Sequence, residues 1–194
     1  MTVAVIGDLS GHPEDLVGVL RQLGADRATL SLPADLTVIQ VGGLLAPGPD
    51  PEGVLDVVEL LLGTGRWVQL LGADEAVAAG LSDDTGSDGS GRVREADRKR
   101  VTDWWGTGRL RAAAAVEVPG HPPMLVTHAG LSHGLWYELR SPATPGEAVA
   151  LLGDSARTRP ERFFRSGLAR GAPRSMAAGP VWASAADELY PSLP

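Results

Sequence analysis

Short apolar runs and amphipathic stretches alternate along the first seventy residues. Residues 2–7 are continuous, apolar and β-branched, and predict a buried parallel strand. Pro13-Glu14-Asp15 then opens a helix, because proline suits the first helical position and acids suit the positive end of the dipole. Leu16, Val19, Leu20 and Leu23 form its apolar stripe, and Gly24 ends it. Leu36 to Val41 predicts a second strand. Pro51 starts a second helix with Val54, Leu55, Val58, Leu61 and Leu62 turned inward, and Trp67 to Leu71 predicts a third strand. A strand–helix–strand–helix–strand order implies right-handed crossovers and a sheet that is parallel at least in part.

The pattern then loosens. Residues 82–92 are polar and rich in Gly and Ser, and predict a mobile surface loop. A helix follows from Glu95 to Trp105. Ala112 to Val118 and Met124 to Thr127 predict a hairpin around Pro119-Gly120-His121-Pro122-Pro123. Short helices are expected near 145–152 and 160–169, and an extended piece from Pro180 to Ala183. There is no internal repeat and no linker that would divide the chain, so residues 1–194 are read as one domain.

Composition narrows the function classes. A net charge of −7 argues against a nucleic-acid partner, because phosphate backbones call for a basic surface. The basic cluster Arg92 to Arg100 is interleaved with Glu95 and Asp97 and reads as a solvated helix face. With no Cys in the chain, disulfides, thiolate metal sites and cysteine nucleophiles are excluded. No apolar run approaches the roughly 18–20 residues of a membrane span. Met1 leads straight into the first strand without a charged leader, so a cytoplasmic protein is expected. Abundant Ala, Gly, Arg and Asp beside a single Lys suggest a GC-rich bacterial genome.

In an open α/β sheet, ligands bind outside the carboxyl ends of the strands. Four segments stand at or near such ends: Gly7-Asp8-Leu9-Ser10-Gly11, Gly42-Gly43-Leu44-Leu45-Ala46-Pro47-Gly48-Pro49, Gly72-Ala73-Asp74-Glu75 and Thr127-His128-Ala129-Gly130. In order and spacing they resemble the motifs of the calcineurin-like metallophosphoesterase family, over roughly residues 1–135. That family carries Asp-x-His, Gly-Asp-x-x-Asp-Arg-Gly, Gly-Asn-His-Asp/Glu, a strand ending in His, and Gly-His-x-His. Gly48-Pro49-Asp50-Pro51 leading into Val54-Leu55 is very similar to the stretch after the second motif in bacterial members. The resemblance implies an α/β sandwich with central mixed β-sheets flanked by helices, shortened at its C-terminus.

It also implies what the site has lost. In the family, two metal ions clamp a phosphate and a bridging hydroxide and neutralise charge in the transition state. Asp8 matches the first aspartate, and Ser10 stands where the first histidine belongs. Gly43 replaces the aspartate that bridges both metals, Ala46 a second acid, and Pro47 the phosphate-facing arginine. Ala73 replaces an asparagine ligand and Asp74 the histidine that protonates the leaving group. Glu75 matches the acid after it, and His128 matches a histidine ligand of the second metal. The last motif is missing, for no histidine follows His133.

Neither glycine nor alanine ligates through a side chain, and metal sites take three or four protein ligands. No cofactor is therefore expected. At most a weak single divalent metal would rest on Asp8 and His128, helped by Asp74 or a displaced His12 or His133. The resemblance thus implies a metallophosphoesterase-fold protein that acts as a binding, regulatory or partner module toward a small molecule or a protein. Two alternatives stay open. In one, Asp8, Asp74 and His128 do metal-independent acid/base chemistry in a pocket with Ser10, His12, Gly43, Ala73 and Glu75. In the other, the chain is a phosphoesterase with a shifted metal site. His12 either slides toward the gap at Ser10 or lies exposed at a helix start. Trp104-Trp105 and Trp136-Tyr137 line a pocket or pack a core. Phe163-Phe164, between Arg162 and Arg165, reads as part of a half-buried helix with basic flanks, with an interface hot spot as the alternative.

Overall fold

A computed structural model describes residues 1–82, 93–165 and 178–183. The loop expected at 82–92 lies, apart from Ser82, outside the described residues. So does the end of the helix expected at 160–169.

Four parallel strands form the main sheet in the order β1 (Thr2–Ile6), β2 (Leu36–Gln40), β3 (Trp67–Leu70) and β4 (Leu110–Arg111). Val5 pairs with Ile39, and Gln40 with Gln69, so the strand ends are level on one side. Helices α1 (Pro13–Gln22) and α2 (Pro51–Leu61) make the first two crossovers. They pack on the sheet face that carries Ala4, Ile6, Leu36, Val38 and Trp67. Leu16, Leu20, Val54, Leu55 and Val58 are fully buried there, each worth about 1.5–3 kcal/mol relative to exposure. Asp50 caps α2 by accepting from the Gly53 N–H at 2.9 Å, and Pro51 follows it.

The other face of the sheet meets a two-stranded antiparallel pair, β5 (Ala114–Val116) and β6 (Met124–Val126). Ile39 and Leu70 pack there on Ala114 and Val116, and α6 (Pro145–Thr158) lies over the pair. The remaining helices are α3 (Ala73–Ala78), α4 (Glu95–Gly106), α5 (His133–Glu138) and α7 (Pro160–Phe163). No helix among the described residues is long and apolar enough to cross a membrane.

Several expectations change. The expected mixing of strand directions within a sheet is absent among the described residues: one sheet is wholly parallel and the other wholly antiparallel. β1 is an edge strand with Val5 55% exposed, and not a buried one. Pro180 to Trp182 form a turn, not an extended piece, closed by the Trp182 N–H on Gly179 O at 2.9 Å. α6 runs six residues past its expected end, and α7 stops at Phe163. Phe163 and Phe164 are fully packed in the core rather than half-buried, with their rings edge-to-face at 4.7 Å.

Candidate functional site

The loops after β1, β2 and β3 and the segment after β6 converge at the carboxyl end of the main sheet. Two buried glutamines set up this end. Gln40 Nε2 donates to Gly7 O at 3.0 Å and Gly42 O at 2.6 Å, and Gln40 Oε1 accepts from the Gly42 N–H at 2.9 Å. Gln69, its neighbour across the ladder, donates through Nε2 to Gln40 Oε1 and to Leu70 O, while its own Oε1 accepts from Trp67 Nε1 at 3.0 Å. A buried amide without partners is costly, and here each amide is spent on holding loop backbone. Nothing in the apolar reading of residues 36–41 and 67–71 exposed this role. The signal that could have done so is a glutamine at paired positions near the ends of two adjacent parallel strands.

Glu75 supplies the second fastening. It lies in the first turn of α3, is fully buried, and reaches back across the cluster. Its Oε2 accepts from the N–H groups of Gly43 at 3.0 Å and Gly72 at 2.9 Å, and its Oε1 from Leu45 N–H at 2.8 Å. Burial pushes this carboxyl up from its ordinary value. The donors from Leu45 and Gly43 and the nearby His128 oppose that push, and the nearby Asp74 adds to it. Glu75 therefore joins the second and third loops from beneath.

Asp8 and His128 meet on the outer side. His128 Nδ1–H donates to Val41 O at 2.8 Å, and the same nitrogen stands 3.8 Å from Asp8 Oδ1. The Asp8 side chain is 54% exposed and that of His128 13%. His128 lies against glycine backbone, since a Cβ on Gly42 would come within 3.0 Å of its Nδ1 and one on Gly72 within 3.1 Å of its Cε1. The Asp8 carboxylate covers Gly43: a Cβ there would stand 2.6 Å from Asp8 Cγ and 2.8 Å from Asp8 Cβ. Gly43 also has φ +71°, a conformation that other residues adopt at a cost.

The other expected site residues are placed as follows. Ser10, at φ 45°, donates its N–H to Gly43 O at 3.2 Å, and Gly48 packs on the Ser10 carbonyl. His12 precedes α1, is 44% exposed, and pairs with Glu14 at 3.1 Å. It is an exposed residue at a helix start. Ala73 and Asp74 begin α3 and are partly buried. His133 begins α5, is exposed, and its ring faces that of Tyr137 at 5.6 Å. The cluster therefore brings Asp8, Ser10, Gly43, Glu75 and His128 together around loop backbone.

Among the described residues no three His, Asp or Glu side chains gather closely enough to share a metal ion. The oxygens of Glu75 already accept three backbone N–H groups, so the donors left at the cluster are the Asp8 carboxylate and the His128 imidazole. That set does not fit a two-ion centre, which needs several hard donors on each ion.

No family model matches the chain, and no curated protein matches it in sequence.

Proposed function

We propose that this chain is a degenerate relative of the calcineurin-like metallophosphoesterases that serves as a binding or regulatory module and not as a two-metal hydrolase. The observation that carries this reading is the seat of Asp8 on Gly43. The side chain matching a metal-binding aspartate fills the space beside the residue that matches the bridging ligand. A second carboxylate at position 43 would collide with the first. The cross-bracing by Gln40, Gln69 and Glu75 supports the same reading, since it keeps the loop scaffold closed without a metal. The alternative reading is metal-independent catalysis, for which Asp8 and His128 stand 3.8 Å apart.

Hydrolysis of an aryl phosphate under excess manganese tests the proposal. It expects no turnover that depends on Asp8. Brisk turnover, abolished by Asp8→Ala and accompanied by stoichiometric manganese, would overturn it.

A further inference from the structure

Away from the loop cluster, α4, β4 and α6 enclose a cavity of about 590 Å³. That volume lies within the roughly 300–1,000 Å³ of small-molecule sites. One wall is the face of α6 that carries Val149, Gly153 and Arg157 at four-residue intervals. The opposite wall is Trp105, Gly106 and Arg111. The hollow follows from the glycines. A Cβ added to Gly106 or to Gly153 would meet nothing within 4 Å. Gly153, like Gly18 in α1, sits in the interior of a regular helix, where glycine costs about 1 kcal/mol relative to alanine.

Arg111, Asp154 and Arg157 are exposed at the rim of this hollow. Among the described residues neither Arg111 nor Arg157 makes an ion pair, whereas Arg94 and Arg100 each hold two acids. Asp154 is the acid of the lining, and it makes no ion pair among the described residues either. The lining thus carries two guanidiniums against one carboxylate, in a chain whose net charge is −7. Guanidinium is the side chain best matched to the paired oxygens of phosphate and carboxylate. Trp105, edge-on to Phe164 at 6.0 Å, adds a fixed aromatic surface beside them.

We infer that this cavity binds a small organic anion, with its phosphate or carboxylate held by Arg111 and Arg157 and a flat ring lying against Trp105. The inference rests on residues separate from the loop cluster and stands whether or not that cluster is catalytic.

Titration of the full chain with 1-naphthyl phosphate, 1-naphthoate and the neutral 1-naphthalenemethanol, followed by calorimetry and by the indole resonances, tests it. The expected result is saturable binding of at least one anion, a shift of the Trp105 indole resonance, and no saturable binding of the alcohol. Arg111→Gln with Arg157→Gln should weaken the anion by about tenfold or more, the factor equivalent to ~1.4 kcal/mol. Gly153→Phe should abolish binding by filling the hollow. Gly153→Ala should leave binding in place without lowering Tm. Equal affinity for anion and alcohol, or an affinity unmoved by the arginine pair, would overturn the inference. So would the lack of saturable binding by either anion. If Gly153→Phe fails to fold, the arginine pair alone decides.

Discussion

The Glu75 carboxylate accepts the backbone N–H of Gly43 at 3.0 Å across 32 positions of sequence. One buried side chain thereby fixes the turn on which Asp8 rests. Replacing it removes the shared acceptor of three N–H groups, on Gly43, Leu45 and Gly72. Each orphaned buried donor costs about 1–3 kcal/mol. Glu75→Ala should therefore lower unfolding free energy by about 3 kcal/mol or more, read as a fall in the urea midpoint.

The same carboxyl gives stability a pH dependence. Burial holds its folded pKa above the ordinary 4.5, so the folded chain binds this proton more tightly than the unfolded chain does. Its contribution is fully present below 4.5 and is lost as pH rises through the folded value. Relative to Glu75→Gln, which does not titrate, wild type should lose stability as pH is raised above 4.5. A relative gain over that range would show that the three N–H donors outweigh burial.

Gln40 and Gln69 should behave as one unit. Removing Gln40 orphans the Gly42 N–H and takes one acceptor from the amide of Gln69. Gln40→Ala and Gln69→Ala should each cost about 2–4 kcal/mol, and the double variant clearly less than their sum. A double-mutant cycle in denaturant reads the coupling directly.

Gly43 and Asp8 provide a steric cycle. Gly43→Ala should destabilise by about 1–3 kcal/mol, because the new Cβ meets Asp8 and the backbone is left-handed. With Asp8→Ala beside it, part of that cost should return, although Asp8 Cβ would still stand within 2.8 Å. Fully additive variants would mean that Asp8 does not occupy this space.

Much of the parallel core was legible in the chain. β2, β3, α1 and α2 announce themselves through mostly apolar runs, proline starts and a 3.6-residue stripe, which are local signals. β1 was read as buried because its composition is apolar, but an edge position is a matter of what lies beside a strand, and composition does not record that. β4 is only two residues long, too short to carry a period. The convergence of the loops that carry Asp8, Gly43, Ala73 and His128 followed from their positions at strand ends. The fastening by Gln40, Gln69 and Glu75 did not, because it consists of hydrogen bonds between residues about thirty positions apart. Phe163 and Phe164 were misjudged because flanking arginines suggest a surface, while long arginine stems allow an apolar pair between them to be buried.

The most direct test of the account is anomalous scattering at the manganese edge from crystals soaked in that ion. The account predicts no pair of peaks at the loop cluster and an Asp8 carboxylate still seated on Gly43. Two ordered ions bridged beside Asp8 and His128 would contradict it.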